Sequence, residues 1–294
     1  MIDLDAILER VDSLPAPPDA SVRLMEILGN PGASMDEIID VIRYDQVLTV
    51  RILQLCNSAY FGLSRQVTSL SDAMVCLGTV KVLQLVMAMH THSLLDAEQA
   101  GYGLRAGELW RHSVGTALAC SQTAQHLNLP DANLVFTAGL LHDIGKVVLN
   151  QFVAEEFEEI LRRVAEQQAD FLEVERQVLG FDHTQVGARI AEQWKLPAPI
   201  VRCIRHHHDP GTLDPPDAVV DTVYLADCLC LLLGIGLGVD GLCYRADQTV
   251  MQRHGLINQD LERIGACTLS ELQSVAQIFG VDAPQEDTPT RAST

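Results

Sequence analysis

The chain has 294 residues, 48% of them hydrophobic, enough for one large domain or two ordinary ones around a sizeable core. With 39 acidic residues against 20 basic ones, the formal net charge is -19. A surface that acidic repels phosphate backbones and anionic lipid, which argues against general nucleic-acid or membrane-surface binding and leaves room for at most a local basic pocket holding a small phosphate ligand.

The N-terminal stretch "MIDLDAILERVDSLP" is acidic and amphipathic. It lacks a basic segment followed by an apolar one, so no secretion signal is expected and the expected location is cytoplasmic. Helical periodicity then dominates. "SVRLMEILGN" carries apolar residues at 22, 24, 25, 27 and 28 before a Gly-Asn stop, and "SMDEIIDVIRYD" opens on a capping box of Ser34 and Glu37. "DQVLTVRILQLCNSA" and "TVKVLQLVMAMHTHSLL" follow as longer helices with one apolar face. No alternating run bounded by hairpin turns is present, so the expected fold class is all-α.

Between about 95 and 105 the composition turns polar and glycine-rich, as "DAEQAGYGLRAGE", which marks the expected boundary between a helical N-terminal subdomain (1–100) and a second helical unit (101–282). Helices are predicted in the second unit at about 106–127, 131–150, 155–168, 183–194, 197–208 and 217–236. The tail 283–294, "APQEDTPTRAST", reads as disordered. Eight cysteines are scattered without a CxxC pair, mostly inside apolar runs, and read as reduced core thiols. The most apolar run, 223–239, contains Asp227 and is short for a membrane span, so a buried helix is predicted there.

Several ionisable residues lie on these otherwise apolar helices: His112 in "LWRHSVGTALA", His142 and Asp143 in "GLLHDIGK", His183 in "FDHTQVGARIA", His206 to His208 in "IVRCIRHHHDP", and Asp227 in "VYLADCLC". A lone histidine on such a face is usually a hydrogen-bonded core residue. A buried unpaired carboxylate is harder to accommodate, because it costs several kcal/mol or must protonate. Taken together, the set is explained by donors projecting inward from separate helices onto a divalent cation. Imidazole plus carboxylate, without thiolate, suits Fe, Mn, Zn or Co. Asp143 has a second oxygen with which to bridge a further metal. Glu108 lies four residues before His112, on the same helix face, and is a candidate ligand, although a solvated helix carboxylate explains it equally well.

His112, the "HD" at 142–143 and Asp227 resemble the H…HD…D pattern of the HD superfamily of metal-dependent phosphohydrolases. "HDIGK", the His183 segment and "HHHD" are similar to its HD-GYP branch, which cleaves cyclic di-GMP at a bi- or trinuclear metal centre. The first half, through "LPAPPDASVRLMEIL", "DQVLTVRILQLCNSAYFG" and "SLSDAMVCLGTVKVLQLVM", resembles the HDOD family, the HD-related output domain of bacterial signalling proteins, as does "WKLPAPIVRCIRHHHDP". The resemblance spans roughly residues 10 to 240. It implies an N-terminal helical HDOD subdomain on an HD-type core with two divalent metal ions, Fe or Mn first, with Zn, Co, Ni or Mg as alternatives. One metal would be held by His112, His142, Asp143 and Asp227, the other by His183, His207 and His208 with Asp143 bridging; His206 falls outside the aligned pair. Many HDOD proteins have lost these ligands and act as regulatory or interaction modules, whereas this sequence keeps them. The GYP signature is absent after His208, so cyclic di-GMP does not carry over as the substrate.

Two functions follow from the resemblance. One is a signal-transduction module acting on a protein partner. The other is a metal-dependent phosphohydrolase of a phosphate-containing small molecule, with Asp143 and Lys146 as its catalytic residues, Lys146 contacting a substrate phosphate. Lys146 also fits a plain helix-end lysine. His90, His92, His126 and His254 are expected at the surface or in loops.

Overall fold

The computed structural model describes residues 42, 46–57, 66–152, 154–167, 171–236, 238 and 247–279. The helices expected at 22–28 and from Ser34, and the tail 283–294, lie outside these residues. Among the described residues the regular elements are helices, apart from an isolated bridge between Gln99 and Leu104, so the fold is all-α.

Three helices come first: α1 (Gln46–Cys56), α2 (Leu70–Leu77) and α3 (Thr79–Leu95). Ser69 starts α2 by accepting the Asp72 amide at 3.0 Å. α3 buries Val82, Leu85, Val86 and Ala88 and packs on α4 (Glu108–His126) and α5 (Ala132–Leu141). The Trp110 indole of α4 fastens that contact by donating to the Ala88 carbonyl at 2.9 Å. α4 is the axis of the molecule, with α5, α11 (Ala218–Leu232) and α13 (Asn258–Phe279) packed around it. The remaining helices are α6 (Ile144–Phe152), α7 (Ala154–Gln167), α8 (Phe171–Leu179), α9 (His183–Gln193), α10 (Ala198–His206) and α12 (Gln248–Arg253). One contiguous core runs through these elements, from Ile42 to Val275.

The polar segment after α3 is not a loose linker. Gln99, Gly101, Tyr102 and Leu104 are buried in it, and Asn150 of α6 grips its backbone, accepting from the Gly101 amide at 3.0 Å and donating to the Glu98 carbonyl at 3.1 Å. Thiols are free at each described cysteine, and five of them are buried as expected, but Cys267 is exposed on α13; Cys243 lies outside the described residues. The stretch Ala132–Asn150 is long and apolar enough to cross a membrane, yet 83% of it is buried inside the fold.

The helix predicted over 131–150 is two helices, broken at His142 and Asp143. The His142 ring Nδ1 donates to the Gly139 carbonyl at 2.7 Å, the acceptor that an unbroken helix would offer to the Asp143 amide. A second close approach then sets where the chain goes. A Cβ on Gly145 would lie 1.9 Å from the His183 carbonyl oxygen and 2.9 Å from the Gly187 amide nitrogen. Only a glycine lets α6 press onto the start of α9, and both obstacles are backbone. Gly145→Ala is therefore expected to destabilise the protein by about 2 kcal/mol or more. The expected fall in melting temperature, roughly 2–4 °C for each kcal/mol, is read in a thermal melt.

Candidate metal centre

Five chain segments converge on one buried point. α4 brings His112 and α11 brings Asp227. The break between α5 and α6 brings His142 and Asp143, and the end of α10 brings His207 and His208. His183 is the first residue of α9, set there because the preceding Asp182 caps the helix by accepting the Gln185 amide at 2.9 Å. Asp143 belongs to two donor groups: one with His183, His207 and His208, the other with His112 and His142, the donor atoms of each group lying within 4.8 Å of one another.

The Asp143 Oδ1 atom is 3.6 Å from Nε2 of both His183 and His207. Its Oδ2 is 3.4 Å from His142 Nε2 and 3.7 Å from His112 Nε2. Asp227 Oδ1 lies 3.0 Å from His112 Nε2 and 3.8 Å from His142 Nε2, and its Oδ2 lies 3.7 Å from His208 Nδ1. The two Nε2 atoms of His183 and His208 are 3.0 Å apart.

The ring tautomers follow from the outer partners. Nδ1 of His112, His142 and His207 faces a backbone carbonyl, of Ile235 at 3.0 Å, Gly139 at 2.7 Å and Ile204 at 2.9 Å. Nδ1 of His183 faces Glu175 Oε2 at 2.8 Å. A carbonyl or carboxylate accepts only, so Nδ1 carries the proton and the Nε2 of each neutral ring is a lone pair aimed inward. Lone pairs facing carboxylate oxygens at these separations repel unless a proton or a cation stands between them. His142 Nε2, His207 Nε2 and Asp143 Oδ1 are buried without any hydrogen-bond partner, at a cost of about 1–3 kcal/mol each. Two donors about 2.1 Å from one cation sit about 3.0 Å apart at a right angle and about 3.4 Å apart at the tetrahedral angle. The donor spacings fall at and slightly above these values. The residues therefore fit a divalent metal.

The cluster is electrically tense. Burial alone would raise the Asp143 carboxyl, but the Lys146 ammonium and the His142 and His207 rings hold it well below its ordinary range. Asp227 is likewise held low against burial, chiefly by His112. Burial and the neighbouring imidazoles push His207 and His208 down, toward the neutral form that ligates metal. His112 and His183 are raised despite burial, by Asp227 and Glu175 respectively.

Three other expectations resolve differently. Lys146 is buried and donates to Asp143 Oδ2 at 2.6 Å, so it is part of the centre rather than a helix-end lysine in solvent. Glu108 does not join the centre. It is the first residue of α4, and its Oε2 turns back to accept the Arg105 amide at 2.7 Å. His206 stays outside, as expected, its Nδ1 3.2 Å from the Thr212 hydroxyl. His254, expected at the surface, is instead closed onto buried Asp221 at 2.8 Å together with Arg253.

Sequence reasoning missed Glu175 and Tyr102. Glu175 on α8 is fully buried; its Oε2 accepts both the His183 ring and the His183 amide, at 2.8 and 3.0 Å. Its Oε1 accepts the Tyr102 hydroxyl at 2.6 Å. The Tyr102 ring also lies 5.6 Å beneath the Lys146 ammonium.

The HDOD domain family matches residues 14–210 of this chain. A solved HDOD domain protein of unknown function from Geobacter sulfurreducens superposes with a TM-score of 0.70 at 29% identity, covering 94% of this chain and 93% of that one. An uncharacterized protein from Treponema pallidum is 25% identical over 227 residues, 76% of this chain and 43% of its own length. Ribonuclease Y from Thermus thermophilus is 33% identical over 119 residues, 40% of this chain and 16% of its own length. The chain thus spans less than half the length of these curated relatives. The match to the family extends over two thirds of the chain and includes the segments carrying His112, Asp143, His183 and His207, and on that extent the chain belongs to the HDOD domain family.

Proposed function

We propose that the chain is a regulatory module of bacterial signal transduction whose buried centre carries two divalent cations, of the Fe, Mn, Zn or Co kind that its donors suit, with Fe or Mn first by the family resemblance. His112, His142, Asp143 and Asp227 would hold one; His183, His207 and His208 would hold the other, with Asp143 shared. The observation that carries this reading is the trio of buried, unpartnered donor atoms, which a cation satisfies and nothing else among the described residues does. Divalent cations there would supply Lewis-acid polarisation of a phosphoryl oxygen and ease the deprotonation of a water.

The protein's own residues favour regulation over turnover. No donor side chain at the centre is more than 4% exposed, and the Lys146 ammonium is committed to Asp143. A nucleotide phosphate therefore reaches none of the centre's own donors from the described surface. The N-terminal helices, which contribute none of the donors named above, are the natural surface for a protein partner. The second reading, a metal-dependent phosphohydrolase acting on a nucleotide or cyclic dinucleotide, is favoured by Lys146 beside Asp143 and by the local likeness to ribonuclease Y. In that reading Lys146 releases Asp143 and holds the charge developing on a phosphoryl oxygen.

Elemental mass spectrometry of protein purified without chelator or nickel tests the first reading. About two divalent ions per chain are expected, with no hydrolysis of bis-p-nitrophenyl phosphate or cyclic dinucleotides by the Mn-loaded protein. A metal-free protein that cannot be loaded defeats the reading. Metal-dependent turnover that disappears in Lys146→Met replaces it with the second. Chelation is expected to remove about 4 kcal/mol of stability for each site where free metal had stood at roughly a thousand times its dissociation constant.

A further inference from the structure

We propose that the cleft between α8, α9 and α10 binds a phosphate-bearing small molecule, at a site distinct from the metal centre and whether or not cations occupy that centre. Its volume is about 510 Å³, within the range of small-ligand sites. Arg176 of α8, Arg189 of α9 and Arg205 of α10 line it, with Thr184, Gln185 and His206 between them. Three guanidiniums from three helices thus face one cavity in a chain whose net charge is -19. The one carboxylate among the lining residues is Asp209.

The guanidiniums are held in place but not used up. Arg205 Nη2 and Arg189 Nη1 share the Glu192 carboxylate, at 2.9 and 3.2 Å, and Arg176 Nε pairs with Asp182. Each pair engages one nitrogen of a fork that carries five N–H donors. The three side chains are 39–52% exposed; the two pairs to Glu192 are surface pairs worth little to stability, while Arg176 is tied to the buried Asp182. Phosphate, with three terminal oxygens and more than one negative charge, suits several forks at once better than a single carboxylate does. The cleft and the centre share backbone but not side chains: Thr184 and His206 line the cleft, while the adjoining His183 and His207 point into the centre.

Isothermal titration of the full chain with inorganic pyrophosphate tests this, on protein as purified and on protein stripped of metal and then freed of chelator. Binding in both preparations is expected, with a dissociation constant on the order of 0.1 mM that weakens as salt is added. Arg189→Ala/Arg205→Ala is expected to weaken it at least about tenfold with an unchanged melt. Glu192→Gln, which releases two forks from their carboxylate, is expected to tighten it severalfold. No binding to the wild type, binding confined to the metal-loaded form, or binding indifferent to both variants overturns the proposal; the second outcome assigns the phosphate to the metal centre.

Discussion

Replacing Asp143 by alanine empties both halves of the metal centre and lowers the melting temperature by about 10 °C. Its two oxygens face four imidazoles, two from each donor group, whereas Asp227 faces His112 and His142 of one group and His208 alone of the other. Stability falls for a separate reason. Lys146 is buried beside Asp143 at 2.6 Å, and the substitution takes away the carboxylate it donates to. Breaking a buried pair from one side costs about 3–5 kcal/mol. The double variant Asp143→Ala/Lys146→Met separates the two effects. It removes the stranded charge, so much of the melting temperature returns, while elemental analysis still finds the centre empty. If the single variant retains two metals per chain, Asp143 does not bridge. If the double variant melts no higher than the single, the stranded ammonium is not what destabilised it.

The histidines and aspartates of the centre were legible because each interrupts an apolar helix face, where an ionisable group has no cheap explanation. His112, His142, Asp143, His183, His207, His208 and Asp227 all meet, as both the residue pattern and the family resemblance led one to expect. Helical spacing misled at Glu108. It shares a face with His112, but as the first residue of its helix it has a free backbone amide close by, and that local bond wins. The break in the 131–150 helix was invisible because the apolar pattern runs through it unbroken; it depends on one ring-to-carbonyl bond of His142. α8 was missed altogether. "FLEVERQVL" alternates charge and apolar residues closely enough that Glu175 reads as one more solvated carboxylate. Tyr102, from the Gly101–Tyr102 segment, meets it in the core, and nothing in that segment's polar, glycine-rich composition announced the contact.

Glu175 therefore yields the second large expected effect. Glu175→Gln keeps the shape of the side chain and removes its charge. An amide turned so that its oxygen accepts from His183 can still donate to the Tyr102 oxygen, so the fold is expected to survive. What is lost is the negative charge that raises the basicity of His183. Losing such an outer partner typically costs about 10–100-fold in metal affinity, and here the loss should fall on the half built from His183, His207 and His208. The half around His112 and Asp227, whose outer bond runs to the Ile235 carbonyl, should keep its affinity. Competition with a fluorescent chelator is then expected to show one site weakened and one unchanged, against two tight sites expected in the wild type. Tyr102→Phe separates positioning from packing. It leaves Glu175 Oε1 buried and unpaired, a cost of about 1–3 kcal/mol in stability, but leaves the bond to His183 in place. Its melting temperature should fall, with metal affinity changed far less than in Glu175→Gln. A uniform weakening of both sites in Glu175→Gln, or equal metal losses in the two variants, means that Glu175 acts on the stability of the whole core and not on the basicity of His183.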